Sequence, residues 1–255
     1  MGSALALVLL VFVQKQSEAA RPGEYRQIVD LTHLVNAHAP SFDPLESSAF
    51  QINPVATIEK DGYFVRSINL PEHYATHMDA PAHFISGSWT VDQIPPERLV
   101  APLVVLDVRA NVEGNPDYQV SVDDIVLWEK TYGMVPLNAL VLAHTGWDTR
   151  WNSAQDYRNA DANGVLHFPG YSMDAAMSLV EERKIVGIGI DTLSVDPGPS
   201  QDFAVHHYTL VRNVYHLENV ANLGLVPERG ATVVVAPMKL EGGSGAPVRI
   251  LALMR

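Results

Sequence analysis

The stretch His73-Tyr74-Ala75-Thr76-His77-Met78-Asp79-Ala80-Pro81-Ala82-His83 gathers three of the chain's ten histidines and one aspartate. Imidazole together with carboxylate is a donor set for Zn, Mn, Fe or Co. The chain has no cysteine. Thiolate sites, disulfides and a Cys nucleophile are therefore excluded, and any ion must be held by nitrogen and oxygen. On a straight strand His73 and His77 would stand roughly 13 Å apart, whereas on one helical turn they would be neighbours at about 6 Å. Pro71 and Pro81 disfavour a long regular helix between them. A tight turn or a single irregular helical turn is expected to bring His73, His77 and Asp79 together as metal ligands. Three protein ligands with one open position is the pattern of a catalytic site. His83, four residues past Asp79, is expected outside the ligand set as a proton donor and acceptor, since a free imidazole titrates near about 6.5.

A second group follows far downstream as His206-His207 and His216-Leu217-Glu218. Joined to the first, it offers ligands for a second ion, with Asp79 or Glu218 able to bridge two ions about 3.5–4 Å apart. The chemistry expected is hydrolysis of a small amide, lactam, lactone or ester: the ion activates water, and His83 passes a proton to the leaving atom. Phe42, Phe64 and Trp89 flank these segments and are expected to hold an aromatic or apolar substrate. No Gly-x-Ser-x-Gly elbow offers a serine mechanism. Gly242-Gly243-Ser244-Gly245 reads as a plain turn, because no Lys-Ser/Thr follows to make it a phosphate loop. Asp191 and Asp196 receive no role. Another reading fits the metal cluster: a non-enzymatic, metal-dependent ligand-binding protein, which would not need His83.

The elements that must position these residues are mostly short strands. Residues 28–31 read as a strand ending in a turn and 63–70 as an alternating strand, β-branched or aromatic in part; 103–108, 139–143, 185–190 and 231–236 are short apolar runs, most of them rich in Val and Ile, and 247–254 reads as a last strand, apolar around Arg249. Helices are expected over 121–131, opened by a Ser-x-x-Asp capping pattern, and over 172–183, with Asp174 in the first turn and basic residues at the end. The pattern predicts an α/β fold: one compact domain with a mixed β-sheet core and few helices. Residues 151–164 are polar and read as a surface excursion.

Seventeen basic residues against twenty-nine acidic ones give a net charge of −12. A chain this acidic, without a basic run, excludes nucleic-acid binding and leaves a small molecule as the expected partner. Residues 4–13 form an uninterrupted apolar run, too short to span a bilayer comfortably, with small residues at Ser17 and Ala19. Residues 1–24 are read as an export signal or an N-terminal apolar extension, and 25–255 as the domain. The export reading predicts a periplasmic or secreted protein with no membrane attachment after processing; the extension reading leaves it cytoplasmic.

The His73–His83 motif resembles the signature of the metal-dependent cyclase family, which includes bacterial kynurenine formamidase and isatin hydrolase. It matches the family's His-x-Gly-Thr-His-x-Asp-x-Pro-x-His at every position but one, where Ala75 replaces glycine. Val29-Asp30-Leu31-Thr32-His33, His144-Thr145-Gly146-Trp147, residues 189–196 and residues 236–240 resemble further blocks. The resemblance implies that His73, His77 and Asp79 bind a first ion, Asp79 bridging, and that His83 is the catalytic proton carrier. In the formamidase branch a histidine twelve positions before a glutamate completes a second site, which selects His206 with Glu218. Isatin hydrolase-like members use one manganese, so one or two Zn2+ or Mn2+ ions are expected. The resemblance also implies an α/β fold, assembly as a homodimer or homotetramer, and a substrate contact near Phe42, and the family's name offers a rival activity, a cyclase or dehydratase on a polyketide-like substrate.

Overall fold

The computed structural model describes residues 25–43 and 50–255, so the apolar run at 4–13 and the expected signal boundary lie outside the described residues. Among the described residues twelve strands are formed: β1 Gln27–Asp30, β2 Gln51–Ala56, β3 Val65–Asn69, β4 His77–Asp79, β5 Val100–Asp107, β6 Gln119–Val120, β7 Leu140–His144, β8 Gly170–Tyr171, β9 Gly187–Ile190, β10 Tyr215–Glu218, β11 Arg229–Pro237 and β12 Gly245–Met254. The α-helices are α1 Ile58–Asp61, α2 Arg109–Val112, α3 Val122–Tyr132, α4 Ala154–Arg158, α5 Met173–Glu181 and α6 Ala204–Leu210. No helix among the described residues is long and apolar enough to cross a membrane.

Eight strands form one mixed sheet in the order β1-β12-β11-β5-β7-β9-β10-β4. Strands β5, β7, β9 and β10 run parallel, and the rest pair antiparallel. The start of β12 also pairs with β4, so the sheet closes on itself. The two-residue period of a strand sorts its side chains between two cores. Leu103, Val105, Leu140, Leu142, Tyr215, Leu217 and Met78 point inside the closed sheet. Val104, Leu106, Val141, Ala143, Ile188 and Ile190 point outward, beneath Ile125 and Trp128 of α3 and Ala175, Ala176 and Leu179 of α5. Both long helices start as their sequences dictate: Ser121 and Asp124 form a reciprocal capping box, and the Ser172 hydroxyl accepts from the Ala175 N–H.

One expectation is decided and another changes. Of the tight turn and the irregular helical turn expected here, the turn is found: residues 72–76 form turn and bend backbone with Ala75 left-handed (φ 56°), and 77–79 continue as a strand, not a helix. The 151–164 segment is more than a surface excursion. It carries α4 and places Trp151 and the fully buried Tyr157 in a third apolar cluster with Trp147, Phe168 and Tyr74.

Candidate metal centre

The site is built on the outward face of two neighbouring strands. Met78 and Leu217 point into the barrel, so alternation turns His77 and Asp79 of β4, and His216 and Glu218 of β10, to the opposite side. The antiparallel register sets Asp79 opposite His216 and His77 opposite Glu218. Helix α6 covers this face and adds His206, while the turn before β4 adds His73. His207, one residue on, is exposed and stacks edge-on with Phe84 instead.

Two carboxylates lie at the centre, each facing two ways. Asp79 Oδ1 is 2.7 Å from His73 Nδ1 and 3.3 Å from His77 Nε2; its Oδ2 is 3.4 Å from His206 Nε2 and 3.6 Å from His216 Nδ1. Glu218 Oε2 is 3.4 Å from His77 Nε2, and Oε1 is 3.4 Å from His206 Nε2. Burial opposes the ionised form of both acids. For Asp79 the surrounding His206, His216, His73 and His77 outweigh it and hold the pKa well below the ordinary carboxylate value. Glu218 is held down to about 2, where burial and the Asp79 charge are overcome by His206 and His77. Burial works against a charged His77, but its contacts with Asp79 and Glu218 lift it to about 10. His206 is raised in the same way, with Asp196 the strongest of its partners.

Outer hydrogen bonds assign the free nitrogen of each ring. His77 Nδ1 donates to the Ala75 carbonyl, 3.0 Å away, which leaves Nε2 for the site. His206 Nδ1 donates to Asp196 Oδ2 at 2.6 Å. Asp196 also accepts from the Val205 and His206 N–H groups, so one carboxylate both caps α6 and orients its histidine. The Thr209 hydroxyl donates to the Val205 carbonyl and accepts from His216 Nε2 at 2.6 Å, leaving His216 Nδ1 a bare lone pair. Asp79 Oδ2 and His216 Nδ1 are buried without a hydrogen bond although they face each other. Two acceptors pointed at one another in a buried site are costly unless a cation lies between them. Asp79, His206, His216 and Glu218 form one group whose ligand atoms all lie within 4.8 Å, and His73, Asp79 and His83 form another. The residues thus fit one or two divalent ions held by nitrogen and oxygen. His216 was visible in the sequence beside Glu218, but nothing there signalled its ligand-like nitrogen.

His83 follows in a short 3-10 turn, Pro81–His83, and its ring stacks on that of His73 with centroids 3.9 Å apart. Its outer edge reaches solvent, yet the ring is enclosed enough that burial pushes its pKa down to about 4. The cavity in front of the cluster has a volume of about 280 Å³. His73, His77, His83, His206 and Glu218 form its polar wall; Phe42, Phe84, Phe203 and Leu193 form its apolar one. Phe84 lies 5.6 Å from Phe203, and Phe42 lies 6.0 Å from Phe203, between ring centroids.

Phe42 is therefore where a substrate contact was expected, but Phe64 and Trp89 are not. Phe64 is exposed at the foot of the β2–β3 hairpin, beneath the Arg66 guanidinium, and Trp89 lies against Arg98. Neither lines this cavity. Trp89 stays beside the metal segment through its backbone, its carbonyl accepting from the Ala82 N–H at 2.9 Å, but its side chain turns to Arg98 instead of the cavity. Phe84 and Phe203 take the place expected of them, and sequence reading missed both. A larger surface cavity of about 620 Å³ borders α2 and α3, with Asp107, Arg109 and Trp128 in its wall and no histidine.

An ion cradle of His, Asp and Glu facing a small apolar cavity defines a metal-dependent hydrolase site, and the chain belongs to the cyclase family, whose model matches residues 29–197. Among its relatives, the isatin hydrolase of Roseibium aggregatum is 31% identical over 243 residues, covering 89% of this chain and 92% of that protein. The kynurenine formamidase of Salinibacter ruber is 30% identical over 188 residues, covering 72% of this chain and 76% of that protein. The solved structure of isatin hydrolase A from Ralstonia solanacearum superposes with a TM-score of 0.83 at 35% identity, over 90% of this chain and 92% of that one.

Proposed function

We propose that this enzyme opens the amide bond of a small aryl substrate, a lactam of the isatin kind or an aryl formamide, using one or two Zn2+ or Mn2+ ions. The observation that carries the reading is the convergence of imidazole nitrogens and two buried carboxylates on one wall of a cavity whose other wall is aromatic. His73, His77, Asp79, His206, His216 and Glu218 would hold the ions. Bound there, a divalent ion supplies the Lewis acid and the acidified water needed for hydrolysis at neutral pH. Phe42, Phe84 and Phe203 grip the aryl group and exclude bulk water. The cavity, at about 280 Å³, is close to the lower end of ligand pockets, which run from about 300 Å³, and so suits one or two rings. His83, at the cavity edge with its ring stacked on His73, accepts and returns the proton that the leaving nitrogen needs. Asp196, Thr209 and the Ala75 carbonyl hold the ligand rings still, so the site is preorganised.

The test is to incubate metal-loaded enzyme with isatin and with an N-formyl arylamine, and to weigh the products. A ring-opened product heavier than isatin by the elements of water, or formate together with the free arylamine, formed only with metal, supports the reading. A product that has lost water would support a cyclase or dehydratase instead. Assembly as a homodimer or homotetramer belongs to the same proposal. The β2–β3 hairpin supports it by exposing Ile52, Val55, Val65 and Ile68, and light scattering decides it. Export is also proposed from residues 4–13, and N-terminal sequencing of the secreted fraction decides that.

A further inference from the structure

The Gly242-Gly243-Ser244-Gly245 segment does more than turn the chain into β12. It is fastened on three sides: Gly242 N–H to Asp92 Oδ1 at 3.0 Å, Gly243 carbonyl to Val91 N–H at 2.9 Å, and Ser244 carbonyl to Ala80 N–H at 2.9 Å. Its fourth anchor is Glu72, the residue immediately before His73. Glu72 Oε2 accepts from the Ser244 N–H at 2.9 Å, from the Ser244 hydroxyl at 2.7 Å and from the Gly245 N–H at 3.3 Å. A carboxylate can only accept, so the single hydroxyl hydrogen of Ser244 is committed to Glu72. Ser244 Oγ is then an acceptor for His73 Nε2, 3.0 Å away. His73 therefore carries its outward proton on Nε2 and turns Nδ1 to Asp79 Oδ1. The ring closes on Gly245, where a Cβ would lie 2.5 Å from His73 Cε1, 2.9 Å from its Nδ1 and 2.7 Å from the Met78 carbonyl oxygen. Any side chain at 245 would drive the ring out of place.

We propose that Glu72, Ser244 and Gly245 form a positioning relay that fixes the orientation and the proton-bearing nitrogen of His73, so that the loop before β12 governs how tightly the first ion is held. The proposal rests on the reading of His73 as an ion ligand. Outer partners of this kind commonly contribute 10- to 100-fold to metal affinity. The relay links two distant parts of the chain: Glu72 and His73 precede β4, while Ser244 precedes β12 and Gly245 opens it, and the two strands pair.

Ser244→Ala is the minimal test, because it removes the hydroxyl and leaves both backbone bonds to Glu72. The first readout is the imidazole 15N spectrum of the metal-free, histidine-labelled protein, with His73 assigned by His73→Gln. A slowly exchanging Nε2–H in the wild type, lost in Ser244→Ala, is expected. A His73 that carries its outward proton elsewhere, or keeps a protected Nε2–H without Ser244, overturns the relay. This spectrum needs no metal, so it decides the relay even if the ligand reading of His73 fails. The second readout is Zn2+ affinity by chelator competition. Ser244→Ala is expected to bind about 10- to 100-fold more weakly at an unchanged unfolding temperature, and Ser244→Thr to restore binding to within about threefold. Equal affinity in the wild type and Ser244→Ala overturns the link to the ion. A wild type that binds no Zn2+ or Mn2+ refutes the proposed function, while the spectrum still decides the relay.

Discussion

Substitution at Ala75 tests how the backbone builds the site. Ala75 has φ 56° and is 1% exposed, and its carbonyl accepts from both His77 Nδ1 and Asn219 Nδ2. For Ala75→Gly three terms compete. Relief of the left-handed conformation favours glycine by about 1–2 kcal/mol. Loss of the buried methyl costs about 0.8 kcal/mol. The freer unfolded chain costs about 0.4–1 kcal/mol more. These nearly cancel, so Ala75→Gly should change stability by less than about 1 kcal/mol and keep its metal. Ala75→Val has no compensation. It places a β-branched residue at positive φ and adds two methyls to a filled site, itself about 1–3 kcal/mol. The expected loss is about 3 kcal/mol or more, with weaker metal binding as the Ala75 carbonyl shifts away from His77. Urea unfolding of the metal-free proteins at constant m-value measures both. An Ala75→Gly cost above about 2 kcal/mol, or an Ala75→Val variant as stable as wild type, would refute this account of the turn.

Other perturbations test separate links. His83→Ala should keep its full complement of metal and lose about 10²–10⁴-fold in turnover; loss of the ion instead would make His83 a ligand. Asp191 accepts from the N–H groups of Thr145, Gly146 and Trp147 and from the Thr145 hydroxyl, so Asp191→Asn turns an amide against those donors. Its expected cost is about 2–3 kcal/mol, or about 5–10 °C in melting temperature, and an unchanged melt would contradict it. His33 lies against Trp151 with its pKa lowered by burial to about 4, despite the opposing charge of Asp148. Its folded-state pKa is depressed, so the stability it contributes is complete above about pH 6.5 and lost as pH falls toward 4. With a discount for partial exposure, His33→Phe should gain about 1–2 kcal/mol on wild type between pH 7 and pH 5. Parallel pH-stability curves for the two proteins would rule this out.

The strands and the two long helices were legible because their signals are local. Val- and Ile-rich runs and the capping serines 121 and 172 lie within the elements they specify. The density of histidines at 73–83 likewise marked the site before any geometry. What was not legible depends on partners distant in sequence. Helix α6 begins after a left-handed Phe203 with no capping side chain of its own, and Asp196, well upstream, supplies the cap. The strand at 77–79 depends on pairing with β10 and β12, whose residues lie more than a hundred positions on. Phe64 and Trp89 failed as cavity residues because aromatic character says nothing about direction, whereas Phe84 and Phe203 meet only once α6 is seated.

The central claim is that Asp79 and Glu218 are the shared floor of an ion site that performs hydrolysis. The most direct test is metal content by mass spectrometry, with hydrolysis measured on the same samples, for the wild type, Glu218→Ala and Asp79→Asn. The account predicts that the wild type carries ions and turns over substrate, that Glu218→Ala loses one ion if two are bound, and that Asp79→Asn carries none and is inactive. An Asp79→Asn protein that retains its metal, or hydrolyses substrate without it, would contradict the account.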